Sequence, residues 1–315
     1  MAPIEMRQRK TASSTLQARA VASGKSSFNV CPYLSCLSIV QLFNEPLDAR
    51  LVSPSKYINA VCEHFSITLF ITWAVTMIWF PEQIVDHPAK HIIGALNPCF
   101  GWDYAPASYI ATTLSSVNVF LTWRYCYLVN AWAFLMHGDV RVTHGRRFVA
   151  YSSIGLALAS NVWQLLWLIG PIQDKPGAVP QVRYWLIHTG VFIMFAGTSY
   201  LAQLAAFLDL HFGPIDKVAQ PGQKTFMFIW GMSFAYMLFV YVYDLVMFEK
   251  GQPPALPPIL IWVANLVWFG CCLGVNCFKP PHPPPLLIQM SLFQPEVVRE
   301  GDPDLELERL IGVNS

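Results

Sequence analysis

Six stretches of about twenty residues, almost free of charge, constrain this chain more than any other feature. They run roughly over 59–80, 107–128, 148–170, 184–208, 225–247 and 256–278. A helix rises about 1.5 Å per residue, so about twenty apolar residues cross the ~30 Å hydrocarbon layer of a bilayer. Lipid offers no partner for a free backbone N–H or C=O, so each such stretch must be a helix. The composition agrees, with 54% hydrophobic and only 12% charged residues, against roughly 25% charged in a soluble domain. The chain therefore reads as an all-α polytopic membrane bundle with about six transmembrane helices over residues 57–279. An N-terminal tail, 1–56, precedes it and a C-terminal tail, 280–315, follows.

Proline marks the joins at Pro81, Pro106, Pro171, Pro180, Pro214, Pro221, Pro253 and Pro254, where its missing N–H costs a helix least. Residues 1–28 are polar and basic with no apolar run, so they do not form a secretory leader; a cytosolic tail and a mitochondrial presequence both fit. The stretch "CPYLSCLSIVQLF" (31–43) is too short to span and is expected at the interface or against the bundle.

Six spans put both termini on one side. Of twenty Lys and Arg, fifteen fall on the terminal side, four on the other, and Arg124 lies in a span. Basic residues favour the cytosolic face, and the cluster Arg141, Arg146 and Arg147 lies close to span ends. Both termini are thus expected in the cytosol, with loop 81–106 on the lumenal or outer side. Net charge is +1, which gives no basic field for nucleic acid.

Ionisable groups in a membrane segment are costly and mark function. Here they gather near span ends: Glu63 and His64 at the cytosolic start of the first, Arg124 at the end of the second, His188 and Asp244 on the lumenal side. The span centres hold neutral polar groups, Asn118, Asn161, Gln164, Gln203 and Asn265. Asp103, His188 and Asp244 form a candidate lumenal polar cluster. Trp102 and Tyr104 are expected to anchor the loop at the headgroups, as interfacial aromatics do. Gly270 and Gly274 form a GxxxG suited to close helix packing, or to a homo-oligomer face.

No catalytic pattern stands out: no P-loop, Rossmann fingerprint, nucleophile elbow or HExxH. His87 and His91 are one helical turn apart, but Pro88 argues against a helix there, and they read as solvated loop histidines rather than metal ligands. The eight cysteines show no metal or redox spacing. No enzyme activity, metal or cofactor is expected.

In the tail, "PPHPPP" (280–285) is a stiff spacer. Beyond it, Glu306, Leu310 and Ile311 match the spacing of an acidic dileucine signal. Two aliphatic side chains would fill an apolar slot on a clathrin adaptor while the carboxylate meets a basic patch.

The loop "GWDYAPAS" (101–108) and the segment "IHTGVFIMFAGTSY" (187–200), with His188, Gly190, Phe195 and Tyr200, resemble the FRAG1/DRAM/Sfk1 family of six-span membrane proteins. The Ser-Asp pair of that family is missing here, and its Pro-Glu is Pro106-Ala107. The resemblance covers about residues 59–278. It implies a non-enzymatic endomembrane protein with a regulatory, lipid-organising or autophagy- and lysosome-related role. The alternative readings are a small-solute or lipid transporter and a mitochondrial inner-membrane subunit.

Overall fold

The computed structural model describes residues 37–43, 51–135, 144–169, 182–212, 222–253, 257–278 and 286–287. The basic N-terminal segment, the loop arginine Arg141 and the dileucine-like residues Glu306, Leu310 and Ile311 lie outside them. Among the described residues the regular secondary structure is helical apart from one pair of two-residue strands. Its elements are α1 (Ser38–Phe43), β1 (Leu51–Val52), α2 (Pro54–Trp79), α3 (Glu82–Val85), α4 (Lys90–Ile93), a 3-10 turn (Pro98–Trp102), α5 (Ala107–Leu135), α6 (His144–Ile169), α7 (Val182–Phe212), α8 (Gln223–Glu249), α9 (Pro258–Phe278) and β2 (Leu286–Leu287).

Four helices are long and apolar enough to cross a membrane: α2, the Trp185–Leu208 part of α7, α8, and the Pro258–Val275 part of α9. Helices α5 and α6 have the length, but hydroxyls and amides dilute their hydropathy. Thr112, Thr113, Ser115, Ser116, Asn118 and Thr122 lie on α5, and Ser152, Ser153, Ser160, Asn161 and Gln164 on α6.

The helices follow the chain around the bundle. Helix α2 packs on α5, α5 on α6, α6 on α7, α7 on α8 and α8 on α9, and α9 closes against α2. Helix α2 begins at Pro54, where a proline at the first helical position replaces an N–H that would lack a partner anyway. It stops at Trp79, ahead of Pro81. The apolar pattern places its start at 59; the helix starts five residues earlier because nothing in 54–58 opposes helix. Strand β1 precedes α2 and β2 follows α9, and they pair antiparallel, Leu51 with Leu287 and Val52 with Leu286. The two ends of the helical bundle are thereby joined.

Phe65, at the middle of α2, organises the core. Its ring lies 5.4 to 5.9 Å from those of Trp102 in the 3-10 turn, Trp163 in α6, Phe195 in α7 and Trp268 in α9. Pairs at this spacing contribute about 0.5–1.5 kcal/mol each beyond area burial. Large apolar side chains also face outward, among them Ile78, Phe120, Tyr127, Phe228 and Phe239. An outward apolar surface on a bundle this poor in charge is what hydrocarbon requires.

Helix α1 is too short to span and lies on α2, with Ile39 buried. Its Ile39 N–H donates to the Glu63 Oε2 at 3.0 Å. The neutral amides act within and between helices. Asn118 Oδ1 is 3.1 Å from His64 Nδ1, Gln164 donates to Ser116, and Gln203 donates to Asn59. Asn161 and Asn265 donate to carbonyls of their own helices. The two glycines of the GxxxG separate. At Gly274 a Cβ would stand 4.0 Å from the Phe226 ring of α8, whereas Gly270 is exposed and faces open space. Gly270 therefore has no packing role inside this bundle.

Candidate functional site

The loop between α2 and α5 folds down onto the end of the bundle. Two details of sequence allow this. Gly101 lies so close to Trp73 that a Cβ at 101 would fall on the Trp73 backbone, so any larger residue would lift the turn away. Asn97 accepts the Cys99 N–H through Oδ1 at 2.8 Å and starts the 3-10 turn, followed by Pro98 at its first position. Thr76, one turn before the end of α2, donates to the Gly101 carbonyl at 2.5 Å. The Ala105–Pro106 peptide that leads into α5 is cis.

On the far side the loop is tied to α8 and α9. Asn97 donates to the Tyr241 hydroxyl, which donates to Asn265 Oδ1 at 3.2 Å. Glycine ends α4 as well: Gly94, at φ 66°, takes the left-handed turn that glycine permits at little steric cost.

Beneath this cap lies a buried charge cluster. Asp103 is 1% exposed. Its Oδ2 is 2.9 Å from His87 Nε2, and its Oδ1 is 3.6 Å from His188 Nε2. The His87 ring stacks on Phe100 with centroids 3.9 Å apart and planes 5° apart. The edge of Tyr104 meets the same ring at 5.5 Å. Nδ1 of His87 accepts the Ala89 N–H at 3.1 Å, which sets the neutral ring's proton on Nε2, the atom nearest the carboxylate. The carboxylate lies off the line of that N–H, and 3.6 Å is too long for a hydrogen bond, so both contacts are electrostatic. His188 in turn stacks on Trp185 one turn earlier on α7.

Asp103 and His188, both expected from sequence, come together here, and His87 joins them. Asp244 is fully buried on α8, one turn beyond Tyr241. The expectation of solvated histidines holds for His91, which is exposed, and fails for His87, which is completely buried. Trp102 also lies elsewhere than expected. It is 1% exposed and points into the core, its ring 5.3 Å from Trp163. It wedges the loop into the bundle instead of resting at a surface. Tyr104 is half-buried against His87.

A carboxylate between two imidazoles can hold and transfer a proton. The nearest thiol, Cys99, is buried, and burial together with the Asp103 charge pushes it well above the ordinary cysteine range. It therefore lacks the thiolate a nucleophile needs. Among the described residues no group of three His, Cys, Asp or Glu is arranged to hold a metal ion.

A second polar group sits deeper, between α2 and α5. Thr68, Ser115, Asn118 and Trp102 help line a small space of about 10 Å³, room for about one water molecule. No family model, curated protein or solved structure matches the chain.

Proposed function

We propose that this is a six-span membrane protein with both ends in the cytosol. Loop 81–106 caps the opposite, lumenal mouth of the bundle, and the protein has a non-enzymatic, regulatory or lipid-organising role in endomembranes. The observation that carries the topology is the β1–β2 pair. The segment entering α2 and the segment leaving α9 meet through Leu51–Leu287 and Val52–Leu286, which supports an even number of crossings between them. Four of the helices are long and apolar enough to cross a membrane. Helices α5 and α6 join them as spans because each packs along both of its chain neighbours, and a helix shielded by protein tolerates more hydroxyls than one facing lipid. The sidedness follows from the excess of Lys and Arg on the terminal side.

The non-enzymatic reading is supported by the state of the site. The capping loop is sewn down by Gly101, Thr76, Asn97 and Trp102, and its thiol is inert. The endomembrane reading is supported by the resemblance of residues 101–108 and 187–200 to the FRAG1/DRAM/Sfk1 family and by the dileucine-like Glu306, Leu310 and Ile311. Imaging a tagged full-length chain tests it. A vesicular pattern that shifts to the cell surface in the Leu310→Ala/Ile311→Ala variant is expected. A mitochondrial pattern, with the basic N-terminal segment removed, would replace this reading with an inner-membrane one.

A further inference from the structure

The cluster that ties the capping loop to α7 has an uneven charge balance: one carboxylate serves two imidazoles. Asp103 lies 2.9 Å from His87 and 3.6 Å from His188, and no more than 6% of any of the three side chains is exposed. The walls carry no compensating charge. Phe100 stacks on His87 and the edge of Tyr104 meets it, while Trp185 stacks on His188. The Cys99 thiol of the loop is neutral, and Tyr241 of α8 meets Trp185 edge-on. Asp244 lies one turn further along α8, and the charges that act on His188 are those of Asp103 and His87. On α3 and α4, Glu82, Asp86 and His91 are exposed, and Lys90 donates to the Val85 carbonyl. Helix α2 contributes the Thr76 hydroxyl, and the first turns of α5 carry only Tyr109, which faces outward. A second constraint falls on His87. Its Nδ1 accepts the Ala89 N–H at 3.1 Å, and a ring nitrogen accepts only while it carries no proton. A doubly protonated His87 would set two N–H donors against each other just ahead of α4.

We propose that the His87–Asp103–His188 cluster is an acid-sensitive latch on the capping loop, closed at neutral pH and released on acidification. One carboxylate balances one imidazolium. The docked cluster therefore holds one imidazole proton without net charge, and the bond from Ala89 keeps that proton off His87 Nδ1. A second proton would give the buried cluster a net positive charge and break the bond from Ala89. In the released loop both rings meet water, and both can charge. Histidine is the side chain whose charge ordinarily changes between pH 5 and 8. In the acid part of that range the released loop binds more protons than the docked one, so docking weakens as pH falls. At neutral pH the extra proton is gone from the released loop, and the packing of the cap decides for the docked form. Release lifts the 3-10 turn and uncovers Cys99, which is 8% exposed when docked. On the topology proposed above the loop faces the lumen, which makes lumenal acidity the signal. Only that assignment of sides rests on the proposed topology; the latch itself does not.

The test uses the full chain in detergent, where the two faces share one solution, so a failure leaves the proposed topology untouched. The probe is 4,4′-dithiodipyridine, a thiol reagent that also works in acid. Labelling is read at each cysteine by peptide mass spectrometry and scaled to the unfolded chain at the same pH. Scaled labelling of Cys99 is expected to be at least tenfold higher at pH 5.5 than at pH 7.5, and to fall back when neutral pH is restored before the reagent is added. Cys62 on α2 and Cys272 on α9, both buried, are expected to stay unlabelled. His87→Asn offers the Ala89 N–H an amide oxygen and cannot be charged; His188→Gln removes the other imidazole. Each leaves one carboxylate with one imidazole, and each is expected to keep the two pH values within twofold of each other. Equal labelling of wild-type Cys99 at both pH values would overturn the proposal, as would variants that open in acid like wild type. Labelling of Cys62 and Cys272 together with Cys99, or labelling that does not reverse, would also overturn it, since the whole bundle would then be unfolding. Where one variant is labelled at Cys99 already at pH 7.5, its cap is not docked and the other variant decides.

Discussion

Single side chains hold the cap, and each can be tested alone. Asp103→Ala leaves the His87 Nε2–H buried with no carboxylate beside it; a loss of about 1–3 kcal/mol is expected, seen as a lower unfolding temperature in detergent. Gly101→Ala drives a methyl group into the Trp73 backbone, and a similar loss of about 1–3 kcal/mol is expected for that overpacking. The lifted turn should also expose Cys99. In the wild-type protein Cys99 should resist maleimide at neutral pH, because it is buried and its thiol is held well above the usual range. Labelling detected at Cys99 by peptide mass spectrometry would contradict the docked geometry; in Gly101→Ala the same labelling is the expected result. At this scale the sequence was informative about chemistry and poor about burial. Asp103 and His188 are legible because charged residues beside apolar runs are rare. His87 is not, since a histidine followed by proline in a loop looks the same whether its ring meets water or stacks on Phe100. Trp102 misleads for a related reason: tryptophan is common both at headgroups and in cores, and only the Phe65 and Trp163 rings decide which.

Elements rather than residues decide how the bundle closes. Phe65 touches rings from the capping turn and from α6, α7 and α9, so Phe65→Ala should cost about 3–5 kcal/mol and loosen several helix contacts together, read by thermal unfolding. Helix α1 is a separate attachment, and Glu63 is its tether. Glu63→Ala removes the acceptor of the Ile39 N–H and should make residues 37–43 a preferred site of limited proteolysis while the helices of the bundle stay resistant. All six long helices were legible, since apolar runs bounded by proline leave the backbone no other choice in lipid. Their ends were not. Helix α7 runs to Phe212, past the apolar limit near 208, because an apolar run marks where a helix is hydrophobic and not where its backbone hydrogen bonding stops. The pairing of β1 with β2 gave no signal, as two-residue strands carry no periodicity.

At the scale of the whole molecule, the proposed topology requires an even number of crossings, with the cap facing away from both ends. The strand pair and the basic-residue bias support this arrangement from independent observations, one structural and one from sequence. The chain contains no Asn-x-Ser/Thr acceptor of its own, so an engineered one reports without background. The most direct measurement places such an acceptor in the exposed stretch 81–83, as Pro81→Asn with Gln83→Thr, with epitopes at residues 1 and 315, and scores glycosylation and protease protection in microsomes. The proposed topology predicts a glycosylated, protected loop and two epitopes that are both removed by external protease. An unglycosylated loop sharing a compartment with the epitopes, or one epitope protected while the other is cut, would contradict it.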